Sequence, residues 1–234
     1  MSEDLKTDQA RRKVKAVGEI DLMANYPKAT RNLEGRRDSK SEENRRKARE
    51  FGFDYFDGDR DCGYGGFNYN PKFWDVVVQD FARHYKLAET ARVLDIGCAK
   101  GFMIFDFKRH FPKMNFWGID ISEYAISNAI PDVRNHLSVG TATNLPYEDN
   151  FFDLVISINT IHNLDRNDCA KALQEIDRVT RQHAFITVDA FRNEEEKERM
   201  YMWNLTALTI MSADEWKDFF RNNNYDYDYY WFIP

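Results

Sequence analysis

After Pro71, short β-branched runs alternate with stretches of helical periodicity, and that alternation restricts the fold more than any other feature of the chain. The runs RVLDIG, NFWGID, HLSVG, FDLVISI and AFITVDA are too short for helices and rich in residues that suit a pleated surface. Strands joined by helical crossovers pair in parallel, so the reading is an α/β domain on a doubly wound, mostly parallel sheet. Crossover helices are predicted over Lys100–His110, Ser122–Ile130 and Asn167–Thr180, with a charged helix starting near Asn193. FWDVVVQDFARHY is an apolar helix ahead of the first strand. At the other end, SADEWKDFFRNNN reads as a capped amphipathic helix leading into an aromatic strand, DYYWFI, which is expected to insert antiparallel.

Residues 1–71 differ in kind. The first 50 residues hold 14 Lys and Arg against 10 Asp and Glu in a chain of net charge -6, so a mildly basic arm precedes an acidic body. A mixed-sign helix such as Lys40–Glu50 reads first as a solvated face and second as a contact for phosphate, an acidic substrate or RNA. Ser39 and Glu42 have capping-box spacing for that helix, Gly52 would stop it, and a weaker helix is predicted over Leu5–Val17. The following segment, FGFDYFDGDRDCGYGGFNYNP, has the composition of a lid. Gly63, Gly65 and Gly66 supply hinges, while Tyr55, Tyr64, Phe67 and Tyr69 supply apolar surface with polar tips on the tyrosines. The expected division is a helical arm and lid over 1–71 and a sheet domain over 72–234. Cys62, Cys98 and Cys169 are scattered without CxxC spacing, and no His, Asp and Glu cluster has ligand spacing, so neither disulfide nor metal is expected. No stretch is apolar for the length a bilayer requires, and a soluble, cytoplasmic protein with no membrane partner is expected.

In a doubly wound sheet, ligands sit beyond the carboxyl ends of the strands where the strand order reverses. VLDIGCAKG, residues 93–101, leaves the first predicted strand there. Gly97 and Gly101 permit a sharp turn and a close backbone approach, and Asp95 stands just before the turn. Nineteen residues beyond Gly101, GIDIS places Asp120 at the next strand tip, where a carboxylate can take both ribose hydroxyls. These features describe a nucleoside pocket. VLDIGCAKG, GIDIS and GTATNLPYEDNFFDLVIS together resemble the successive motifs of class I S-adenosylmethionine-dependent methyltransferases, over about residues 75–190. The motif set is similar to that of small-molecule members such as the ubiquinone and menaquinone methyltransferases. The resemblance implies a seven-stranded Rossmann-like sheet and S-adenosylmethionine as cofactor. It also implies that Gly97, Cys98 and Gly101 line the methionine and ribose portion, that Asp120 holds the ribose, that Ile121 packs on adenine, and that Thr141 and Ala142 edge it. Two positions depart from the family: Ala99 replaces a middle glycine, and Thr141 stands where many members have aspartate. A dinucleotide site is the nearest rival, but G-x-G-x-x-G would need glycines at Ala99 and Phe102.

Methyl transfer from a sulfonium needs alignment and a dry site more than it needs catalytic groups. A hydroxyl acceptor gains from a general base, for which His162, following the fourth strand in ISINTIHNL, is the prime candidate; capping a helix or bonding a carbonyl is its alternative use. Asn159 and Asp189 end neighbouring strands and are placed to orient an acceptor amine or hydroxyl. Asn159 is counted with the cofactor contacts and Asp189 with the catalytic ones, an N-cap being the other use of Asp189. Tyr64, Phe67, Tyr69 and Trp203 are expected to form the lid and the acceptor wall, with Met200, Tyr201 and Met202 beside Trp203. His84, His110, His136 and His183 are read as structural. The expected function is methylation of oxygen or nitrogen on a small molecule: a metabolite, sugar or glycan precursor. Two alternatives stand beside it: an RNA or protein methyltransferase using Arg36, Arg37, Arg45, Arg46 and Arg49, although nucleic acid is disfavoured by the acidic total, and a non-catalytic scaffold of the same fold. The oligomeric state is open, a homodimer included.

Overall fold

The computed structural model describes residues 17–28, 33, 35, 40–64 and 68–234. The helix expected over Leu5–Val17 therefore lies outside the described residues apart from Val17, as do Arg36, Arg37, Gly65, Gly66 and Phe67.

Seven strands form one sheet: β1 (Arg92–Ile96), β2 (Asn115–Asp120), β3 (Leu137–Val139), β4 (Phe152–Ile158), β5 (Thr180–Phe191), β6 (Met211–Ser212) and β7 (Asp228–Phe232). The spatial order runs β3-β2-β1-β4-β5, with β7 and the short β6 both paired to β5. Every one of these pairings is parallel, so the antiparallel insertion expected of the last strand is corrected. The reason is length. The helix Ala213–Asn222 is ten residues long and spans about 15 Å, enough to carry the chain back to the amino edge of the sheet before β7 begins. Strand order reverses between β1 and β4, which places the switch point beside the glycine turn.

The central strands β1 and β4, and β5 from Ala184 to Ala190, are buried on both faces, as parallel strands under crossover helices must be. Alternate residues feed two cores: Val93, Leu154, Ile156 and Phe185 pack with Val77, Phe81 and Phe107, while Leu94, Val155 and Ile186 pack with Leu173, Ile176 and Trp216. Eight helices flank the sheet among the described residues: α1 (Glu42–Arg49), α2 (Phe53–Phe56), α3 (Asp75–His84), α4 (Phe102–His110), α5 (Glu123–Ser127), α6 (Arg166–Val179), α7 (Glu194–Trp203) and α8 (Ala213–Asn222). Five of the eight start on a side-chain cap. Ser122 accepts from Ala125 N–H, Asp165 from Asp168 N–H and Asn193 from Glu196 N–H, and Ser212 with Glu215 forms a full capping box. For α1 the cap is Ser41, which accepts from Asn44 N–H, two residues later than the predicted Ser39.

The amino-terminal segment is tied to the sheet domain at both of its described ends. Gly18–Ile20 runs along the free edge of β7, with Ile20 N–H donating to Tyr229 O at 3.0 Å and Tyr229 N–H donating to Gly18 O at 3.0 Å. Among the described residues, no helix is long and apolar enough to cross a membrane.

Candidate functional site

A cleft of about 1050 Å³ opens over the carboxyl ends of the strands. Its walls include Asp95 in β1 with Gly97, Cys98 and Ala99 after it, Asp120 ending β2 with Ile121 after it, Thr141 and Ala142 after β3, Asn159, Thr160 and His162 after β4, and Asp189 near the end of β5.

Gly97 turns at φ +81°, and a Cβ there would overlap the side chain of Thr160, so a larger residue is excluded twice over. Gly101 also has positive φ (+79°) but does not line the cleft. A Cβ on it would come within 2.8 Å of Leu137 and 2.9 Å of Val133, so packing of α4 by itself requires this glycine. Between them Ala99 adopts φ +48°, a left-handed conformation that costs a residue with a Cβ about 1–2 kcal/mol. Its backbone N–H donates to Asp120 Oδ2 at 2.8 Å. Ser122 N–H donates to the other carboxylate oxygen, also at 2.8 Å, fixing the plane of the Asp120 carboxylate.

Asp95 is buried and receives no hydrogen bond from the described residues. Burial, then the neighbouring Asp120 charge, push its carboxyl up to about 8, and burial raises Asp120 as well. Two carboxyl groups in one dry corner call for a guest that brings positive charge and hydroxyl donors. Cys98 lies beside them, its thiol raised by burial and by both aspartates, which makes it inert as a nucleophile. Ile121 is 59% exposed, an apolar face turned into the cleft, whereas Ala142 is nearly buried. Thr141 is committed to a local turn, its hydroxyl 2.9 Å from Thr143 Oγ1 and accepting from Thr143 N–H.

Across the switch point, Asn159 sits at φ +52° and receives the Thr187 hydroxyl on its Oδ1 at 2.8 Å. His162 is buried, and its Nδ1 accepts the backbone N–H of Asp189 at 2.9 Å. The proton of the neutral ring therefore resides on Nε2, which faces Asp189 Oδ2 at 3.7 Å. Burial holds the imidazole below its ordinary range despite the Asp189 charge. A ring whose one lone pair is already taken cannot collect a substrate proton, so the general-base role expected of His162 is corrected. Asp189 is the carboxylate member of the pair. Its Oδ2 also receives the Asn204 amide at 2.5 Å, and its carbonyl receives the Trp216 indole at 2.9 Å, so it caps no helix.

The segment ahead of Pro71 covers this cleft, with Phe51, Tyr55, Phe56, Arg60 and Tyr64 on its wall. It is fastened to both cofactor-side loops. Lys100 Nζ grips both oxygens of Asp57 at 2.6 and 2.8 Å, Tyr124 OH donates to Asp57 at 2.7 Å, and Ser122 Oγ donates to Phe51 O at 2.5 Å. Against the pull of burial, these hydrogen bonds hold the Asp57 carboxyl below its usual range. Tyr64 packs on Trp203 with ring centroids 5.4 Å apart, and both line the cleft. Tyr69 does not. Its hydroxyl donates to Asp106 at 2.7 Å and its ring packs on Phe102 and Phe105, so the lid role expected of it is corrected: the buried Asp106 of α4 holds it away. Met200 is fully buried, Tyr201 is half exposed, and neither lines the cleft. The other histidines serve local contacts, His110 with Asp75 at 2.8 Å and His183 stacked on Tyr85. Thr160, Asp57, Lys100 and Asn204 escaped the reading of the sequence. Thr160 adjoins a strand end and was open to discovery there; a lone Asn204 in WNLTA carries no signal.

Residues 94–188 match the family described as "Methyltransferase domain". A tRNA (carboxymethyluridine(34)-5-O)-methyltransferase of Arabidopsis thaliana is 30% identical over 125 residues, covering 53% of this chain and 30% of that protein. The mitochondrial arginine-hydroxylase NDUFAF5 of Mus musculus is 34% identical over 106 residues, covering 44% and 28%. The chain thus spans under a third of the length of these two curated relatives. Among solved structures, the YcgJ protein of Bacillus subtilis superposes with a TM-score of 0.52 at 20% identity, covering 62% of this chain and 66% of that one, a likeness of fold.

Proposed function

We propose that the chain is a class I S-adenosylmethionine-dependent methyltransferase, as the match over residues 94–188 supports, and that it methylates an oxygen or nitrogen of a small molecule, a metabolite, sugar or glycan precursor. S-adenosylmethionine supplies, when bound, an electrophilic methyl group on a sulfonium. The residues present fit that cofactor. Among the described residues Asp95 is a buried carboxyl that receives no hydrogen bond, suited to the guest's cationic portion, and Asp120, already anchored by two backbone N–H groups, has its remaining acceptor capacity for a diol. Ile121 offers the apolar face that an adenine ring would cover. Asp189 receives the proton released as the acceptor's oxygen or nitrogen forms its new bond to carbon, while His162 and Asn204 orient that carboxylate. The covering segment excludes water.

The observation that carries the small-molecule reading is the fastening of that segment by Asp57, Lys100, Tyr124 and Ser122, which leaves an aromatic-walled chamber rather than an open face. Two of the three arginines of α1 agree with it. Arg46 pairs with Glu43 and Glu50, and Arg49 points to the carbonyls of Thr206 and Ala207, so neither stands ready for phosphates. An RNA acceptor is the second reading, favoured by the tRNA methylation after which the Arabidopsis relative is named. Incubating the protein with methyl-labelled cofactor and fractionated metabolite or RNA pools decides between them. Label in amine, sugar or nucleotide-sugar fractions is expected, and label confined to RNA would overturn the small-molecule reading.

A further inference from the structure

We infer that the covering segment does more than shut out water: through loop 204–207 it sets the orientation of Asp189, so that the proton acceptor is assembled only when the segment is down. The inference rests on the role given above to Asp189. Five hydrogen bonds form the linkage. From α1, Arg49 donates to Thr206 O at 3.3 Å and to Ala207 O at 3.4 Å. From the segment after α2, the Tyr64 hydroxyl accepts Leu205 N–H at 2.8 Å. Within the loop, Asn204 Oδ1 accepts Ala207 N–H at 2.9 Å, and the same amide group donates from Nδ2 to Asp189 Oδ2 at 2.5 Å. Asn204 is fully buried, so its amide cannot turn without breaking both bonds.

The loop also reaches the other member of the pair. Leu208 and Thr209 N–H both donate to His162 O, at 3.1 and 3.0 Å. Asp189 and His162 are thus held by one short loop, and the segment that covers the cleft grips that loop at three consecutive residues, Leu205, Thr206 and Ala207. Arg49 and Tyr64 are positioning residues in this scheme. Lifting the segment removes two donors and one acceptor from the loop, frees the Asn204 amide and lets the carboxylate rotate away from its set direction.

The test uses the full chain labelled with ¹⁵N, uniformly and at histidine, with S-adenosylhomocysteine as the cofactor probe. In Arg49→Met, the Ala207 amide is expected to exchange with solvent at least about tenfold faster, and the His162 Nε2 resonance is expected to move. Arg49→Lys, which keeps a donor, should restore much of both. The amide of Leu154 in β4 and the ring of His136 should not change, which separates relay from general loosening. S-adenosylhomocysteine affinity of Arg49→Met should stay within about twofold, since Arg49 does not line the cleft. If Arg49→Met does not fold, Tyr64→Phe removes the Leu205 acceptor while keeping the ring on Trp203, and the same shifts are expected. Faster Ala207 exchange with an unmoved His162 resonance would overturn the linkage, as would unchanged Ala207 exchange in both variants. Absence of S-adenosylhomocysteine binding to the unmodified chain would instead remove the methyltransferase reading and leave the nuclear magnetic resonance outcome to judge the relay alone.

Discussion

At the scale of single residues, the site is built from groups that are uncomfortable without a guest. Asp95 keeps its proton in the folded chain until pH about 8, because burial and Asp120 oppose its charge, whereas an unfolded aspartate loses its proton near pH 4. Between those values the folded form holds the extra proton, so stability falls as pH rises through that window. Asp95→Asn should therefore raise the melting temperature at pH 8, with the gain shrinking toward pH 4, while S-adenosylhomocysteine binding weakens by about tenfold or more through loss of a charge-assisted contact. Thermal melts across pH and calorimetry check the two halves, and a gain that grows toward acid would contradict the assignment. Ala99 poses the complementary case. At φ +48° it carries strain that glycine would not, so Ala99→Gly is expected to stabilise by about 1 kcal/mol in chemical denaturation, with no loss of cofactor binding.

At the scale of elements, what the sequence made legible were features with a periodicity or a capping rule. The strand–helix alternation, the turn at Gly97 and the carboxylate ending β2 are local consequences of residue type, and they stand in the structure at the expected strand ends. The direction of β7 was not legible, because DYYWFI suits either orientation and only the span of α8 decides it. Nor was the job of Gly101, since a glycine needed for Leu137 and Val133 looks in sequence like one needed for a ligand. The covering segment failed differently: its tyrosines drew attention, yet the fastening is made by Asp57 and Lys100, charged residues 43 positions apart that no window could pair. Lys100→Met should loosen this element selectively. Limited proteolysis within residues 57–61 is expected to speed up by about tenfold, while global stability falls by only ~1 kcal/mol, as Asp57 is left with water and Tyr124. Equal sensitivity of the unmodified chain and the variant would mean that the latch does not hold the segment.

For the whole molecule, cofactor binding and closure share one free-energy balance, because the same cleft is walled by the sheet loops and by the covering segment. A ligand that binds only the folded form at 100 times its dissociation constant adds about 2.7 kcal/mol of stability. In a domain of this size, each kcal/mol moves the melting temperature by about 2–4 °C. S-adenosylhomocysteine at that excess should therefore raise the transition by about 5–10 °C, whereas NAD, which would need glycines at Ala99 and Phe102, should leave it unmoved. The same ligand should protect residues 51–64 from hydrogen exchange to a greater degree than β2 or β4, since contacts across the cleft reach the segment through Phe51, Tyr55 and Tyr64. A shift of the predicted size with unchanged exchange in 51–64 would mean that the cofactor binds beneath the segment without engaging it.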